Sequence, residues 1–140
     1  MQTLNFSTGL ITYSVNGQCE LRFNPTDSAF VERVYHTFET LDGKQVEYQR
    51  RVEAAAGTRE IFTIARELDG EMRALLDETL GTGVCAALFG AMNVYALADG
   101  LPVWSNLLLA VLDVVDAGFA DERQKTDPRV AKYVSKYKKK

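Results

Sequence analysis

Apolar and polar residues alternate over the first 23 positions: Ile11, Tyr13 and Val15, then Cys19, Leu21 and Phe23, with Asn16-Gly17 between the two sets. Period two around an Asn-Gly pair predicts a β-hairpin. A two-residue loop would pair Tyr13 with Glu20 and send the two apolar sets to opposite faces. A three-residue loop, Val15-Asn16-Gly17 with Gly17 left-handed, pairs Tyr13 with Cys19 and Ile11 with Leu21, and one face becomes wholly apolar. The bulged form is therefore expected. Leu4 and Phe6 suggest a third short strand before the Ser7-Thr8-Gly9 turn.

The period changes to 3.6 after Phe23-Asn24-Pro25-Thr26-Asp27, where Pro25 suits a first helical turn and Asn24, Thr26 and Asp27 can accept unpaired backbone N–H groups. Phe30, Val34, Phe38 and Leu41 form one stripe, with Val31 beside them. Asp42-Gly43 predicts a break, after which residues 45–56 read as helical again, either as a second helix or as the continuation of an interrupted one. Gly57-Thr58 opens the clearest helix: Ile61, Ile64, Ala65, Leu68, Met72, Leu75, Leu76 and Leu80 share one face, and Gly81 supplies the stop. Asp69, Arg73 and Asp77, at i, i+4 intervals outside that face, predict a modest surface ladder. Gly70 inside the helix suggests close packing against it. A short apolar helix over 84–89 follows, then an Asp99-Gly100 turn. A last long helix starts at Pro102 and carries Trp104, Leu107, Leu108, Val111, Leu112, Val115 and Phe119. That helix is apolar or small around much of its circumference, as helices buried on several sides are.

These elements predict an α+β, mostly helical fold: an N-terminal β-hairpin (1–23) packed on a helical body (24–122) of four to five helices. One domain spans 1–122, and a mobile basic tail spans 123–140. Net charge sharpens this division. Residues 123–140 carry eight Lys/Arg and one acid, +7, whereas residues 1–122 carry −10. In the tail, Val130, Tyr133, Val134 and Tyr137 recur among cations, the pattern of a short amphipathic helix that orders on a partner. The N-terminus lacks the basic-then-apolar pattern of a secretory signal. The longest apolar run, residues 107–112, is shorter than the ~20 residues of a membrane helix. A cytoplasmic location without a membrane partner is expected.

Candidate chemistry is sparse. His36 is the only histidine and sits on the polar side of the first helix, so no histidine pair exists to build a zinc site or a catalytic relay. Asp113 with Asp116, and Glu67 with Glu71, have spacings that can hold a cation but read more simply as solvated helix faces. Cys19 and Cys85 read as unpaired buried thiols. The glycines at 81, 83, 90 and 100 form no phosphate-binding loop. No catalytic, cofactor or metal residues are proposed, and an enzyme is not expected. Trp104 is either core or an interface anchor. The tail residues Arg129, Lys132, Tyr133, Lys136, Tyr137, Lys138, Lys139 and Lys140 admit three readings. They can stack on and neutralise nucleic acid, dock on an acidic protein or the acidic face of a sister subunit, or simply keep the chain soluble. The acidic body argues against the first.

Three segments carry a family resemblance: Phe23-Asn24-Pro25-Thr26-Asp27-Ser28-Ala29-Phe30-Val31-Glu32, the stretch from Ile61 to Arg73 (IFTIARELDGEMR), and the most distinctive, Ala87 to Trp104 (ALFGAMNVYALADGLPVW). Spread over most of residues 20–118, they resemble small proteins of phages and prophages of Gram-positive bacteria that lie among tail-morphogenesis genes. The resemblance implies a tail-assembly chaperone. Such proteins are non-enzymatic, need no cofactor, and act in the host cytoplasm. They bind the long helical tape-measure protein, associate with themselves, and give way as tail-tube protein polymerises. Two other readings stand beside it: a structural tail or head–tail component, and a small helical adaptor that binds nucleic acid through its basic tail.

Overall fold

The structure, a computed structural model, describes residues 1–125 and 128–137. Strands β1 (Ile11–Val15) and β2 (Cys19–Phe23) form an antiparallel hairpin. Two long helices follow, α1 (Ser28–Glu53) and α2 (Thr58–Leu80), then a short α3 (Val84–Phe89). A second small hairpin, β3 (Leu97–Ala98) with β4 (Leu101–Pro102), leads into α4 (Val103–Gln124), and α5 covers Pro128–Tyr137. The fold is α+β and mostly helical, as the patterning predicts.

Hairpin β1–β2 places its six alternating apolar residues on one face, but its register is shifted by one pair from the expected one. Val15 pairs with Cys19, Tyr13 with Leu21 and Ile11 with Phe23. The loop is Asn16-Gly17-Gln18. Asn16 and Gly17 both adopt positive φ, and the Gln18 N–H donates to the Val15 carbonyl at 2.9 Å. Asn and Gly tolerate that conformation, so the turn tightens around them and Val15 is freed to join the strand. Both loops contain three residues, which is why the faces were assigned correctly although the partners were not. The expected strand at Leu4 and Phe6 does not form; both side chains are exposed.

At the hairpin's end Asn24 organises the entry to α1. Its Oδ1 accepts from the Thr26 N–H, and its Nδ2 donates to the Thr8 carbonyl. Asp27 caps the helix by accepting from the Ala29 N–H, so Pro25 lies in the turn before α1, not in its first turn. The Tyr13, Phe23 and Phe30 rings stack in series and seat the hairpin on α1.

Helix α1 runs without a break through Gly43, where a stop had been expected. The side chains beyond Gly43 explain this. Gln45 bonds Trp104, Tyr48 stacks on Tyr95, and Val52 packs against the core. Those contacts outweigh the ~1 kcal/mol that glycine costs a helix interior. Helix α2 returns antiparallel to α1, clasped by the Thr37–Thr79 hydroxyl bond and by the ion pairs Lys44–Glu71 and Arg51–Glu67. Glu67 and Glu71 thus pair with α1 cations. Helix α4 crosses α1 and buries Trp104, Leu107, Leu108 and Val111 in the common core, with Val115 also buried.

Two glycines predict opposite results for one substitution. A Cβ on Gly70 meets nothing within 4 Å, so the close packing expected there is absent. Gly70→Ala should raise stability by about 1 kcal/mol through helix propensity alone. A Cβ on Gly118 would lie 2.6 Å from the Pro25 ring, which cannot swing aside. Gly118→Ala should therefore lower stability by about 1–3 kcal/mol. Urea denaturation of both variants checks the pair, and a matching sign would refute the packing described.

Candidate functional site

A network of charged side chains and backbone groups lies on α2. Of the ladder that the spacing of Asp69, Arg73 and Asp77 predicts, the Asp69–Arg73 rung forms, and all three side chains also bond backbone groups. Arg73 Nε donates to Asp69 Oδ2 at 3.0 Å, and its Nη2 donates to the carbonyls of Gly90 at 2.8 Å and Met92 at 2.6 Å. Asp69 Oδ1 accepts from the Val94 N–H, while Asp77 accepts from the N–H groups of Gly83 and Cys85. Asn93 adds bonds to the Ala65 carbonyl and from the Tyr95 N–H. The i, i+4 spacing sets three charged groups in a row along the helix, and the first turn of α3 and the turns on either side of it supply backbone groups that need partners. The network braces the 81–96 segment. Its acids and base are already committed to structural bonds.

Cys85 stands inside this brace, 1% exposed. Burial, the nearby Asp77 carboxylate and its hydrogen bond push the thiol up to about 12. The protonated form is thus held in the fold well above the ordinary 9.0. Stability from this group is fully present below pH 9 and declines between pH 9 and 12, as the unfolded chain loses the proton first. At neutral pH Cys85 should resist thiol reagents until the protein unfolds, whereas the half-buried Cys19 should react sooner. Timed alkylation with peptide mapping distinguishes the two. Tyr95 stacks on Tyr48, and burial raises its phenol's affinity for the proton; its hydroxyl is buried without a hydrogen-bond partner.

The residues singled out from sequence fall in different places. Trp104 belongs to the core: it is 2% exposed, meets Phe38 edge-on, and donates from Nε1 to Gln45 Oε1. The indole is core in this fold, almost wholly covered. Arg129, Lys132, Tyr133 and Lys136 lie together on α5, with Tyr137 at its last position. Lys132 Nζ sits 5.4 Å from the Tyr133 ring centroid. Lys138, Lys139 and Lys140 lie outside the described residues.

Concave surface is shallow. An open groove of about 620 Å³ between α1 and α2 includes His36, with Glu32, Arg33 and Glu78 around it. A second, of about 340 Å³, lies between the first hairpin and the C-terminal half of α4. Among the described residues no three His, Cys, Asp or Glu side chains are arranged to hold a metal ion. Asp113 and Asp116 are exposed on α4. By length and composition α4 reaches what a membrane span requires, because the helix continues past those two acids; one third of its most apolar stretch is buried in this fold.

No protein-family model, curated protein or solved structure matches this chain. The functional reading therefore turns on the surface itself. Its most distinctive element is α5, where Val130, Tyr133 and Val134 stand exposed beside cations. Sequence periodicity found this helix. The brace on α2 is not legible in the sequence because its partners are mostly backbone groups, which no side-chain pattern reports.

Proposed function

We propose that this protein is a non-catalytic assembly chaperone of a bacteriophage tail, which binds the tape-measure protein in the cytoplasm of the bacterial host. The observation that supports the reading is α5, an exposed amphipathic helix whose apolar stripe and cations suit reversible packing against another helix. The polar network on α2 fits the same reading, since Asp69, Arg73 and Asp77 spend their bonds on the fold.

The test is co-expression with a tape-measure protein, which this reading expects to be encoded beside the gene. Soluble complex is expected with the full chain, and loss of solubility with a chain ended after Glu122. Purified virions should lack the protein. A tape-measure protein equally soluble without its partner would refute the proposal. Stable incorporation into virions would favour a structural tail component. Binding to DNA or RNA that weakens steeply with salt and vanishes on the same truncation would favour the adaptor reading.

A further inference from the structure

Two surfaces left open in the single chain are complementary. On α5, Val130, Tyr133 and Val134 stand at i, i+3 and i+4, and are 65%, 48% and 59% exposed. This spacing makes one apolar stripe, with Arg129, Lys132 and Lys136 on the adjoining face. The groove between the first hairpin and α4 has an apolar floor of Ile11, Tyr13, Pro25 and Val114, and Asp121 and Glu122 line its acidic end.

We propose that α5 of one copy docks, apolar stripe inward, in the hairpin–α4 groove of a second copy. Charge complementarity identifies the occupant. The chain divides into a +7 segment over 123–140 and a −10 body over 1–122, so each copy carries a cationic helix and an anionic receptor for it. An anionic bilayer or nucleic acid would meet the same helix but would also repel the body. The chain's own α5 leaves its stripe uncovered, and Lys125, paired with Glu122 at 3.1 Å, lines the near end of the groove. That pair is exposed on both sides, so exchanging Lys125 for a partner's lysine costs little. The contact joins different patches on the two copies, and closes as a reciprocal dimer or extends as a chain. It requires no tape-measure protein, so it stands or falls separately from the tail-assembly reading.

Sedimentation velocity of the full chain, across protein concentration at low and high salt, reads the association directly. Concentration-dependent assembly that weakens with salt is expected. Lys132→Glu with Lys136→Glu should weaken it about tenfold or more, as should Asp121→Lys with Glu122→Lys, and the four changes together should restore it. Val130→Ser with Tyr133→Ser should weaken it at every salt concentration without altering the helical circular dichroism of the body. In a mixture of ¹⁴N- and ¹⁵N-labelled protein, carbodiimide should join Lys132 of one label to Asp121 or Glu122 of the other. A monomer under all conditions, association indifferent to the reversals, or cross-links confined to one label would overturn the proposal; the last would mean that α5 folds onto its own chain.

Discussion

Trp104→Ala should lower the free energy of unfolding by about 3–5 kcal/mol, the largest effect expected from any single side chain considered. The indole lies where α4 crosses α1, almost wholly buried and in edge contact with Phe38. Alanine would leave a cavity that the two long helices cannot close without shifting. It would also remove the donor to Gln45, leaving that amide oxygen unpaired in a half-buried setting. Trp104→Phe keeps most of the volume and loses only the donor, so a smaller loss is expected. Trp104 is the only tryptophan, so unfolding should be followed by circular dichroism, because the fluorescence signal disappears with the residue. If Trp104 were a partner anchor, its removal would spare stability and abolish binding. A stability change below about 1 kcal/mol would favour that role over the core position.

The second large effect is expected at Arg73. Arg73→Ala should cost about 2–4 kcal/mol. Its guanidinium makes three bonds at once, to Asp69 and to the carbonyls of Gly90 and Met92. The side chains of Arg73 and Asp69 are 21% and 19% exposed, so the pair is largely screened from water but not sealed. Removing the cation leaves a carboxylate without its partner and frees the 90–92 turn. Arg73→Lys should recover only part of the loss, because one ammonium cannot reproduce the planar fork that reaches both a carboxylate and two carbonyls. Chemical denaturation measures the total. Native-state hydrogen exchange locates it: the Gly83, Cys85 and Val94 amides should exchange faster in Arg73→Ala, while those in the middle of α1 change only with global stability. Uniform loss of protection, with no excess in this segment, would show that Arg73 does not brace it.

These two residues show where the sequence is legible. Trp104 was placed on the correct helix, within the correct apolar stripe, because a 3.6-residue period is a property of the chain alone. Whether its stripe met α1 or a partner depended on the crossing of two helices far apart in sequence. Arg73 was likewise placed on the correct helix and beside the correct acids. Its pair with Asp69 follows from that spacing, but its bonds to Gly90 and Met92 do not, because local spacing records which side chains are neighbours, not what the rest of the chain lays over them. At Gly43 a local stop signal was present, but contacts from α4 and from the segment holding Tyr95 extended the helix through it. At the first hairpin the alternation decided the buried face, and the positive φ of Asn16 and Gly17 together decided the partners.

The sequence by itself determined the mostly helical class, the apolar face of the first hairpin, the course of α2, α3 and α4, and the division into acidic body and basic tail. Each follows from periodicity or charge, which act over a few residues and survive in the unfolded chain. Only the tertiary structure decided the continuity of α1, the bracing of 81–96 by Asp69, Arg73 and Asp77, the burial of Trp104, and the groove beside α4. Those depend on partners from distant positions, and a backbone carbonyl or an uncovered groove leaves no signature in the order of side chains.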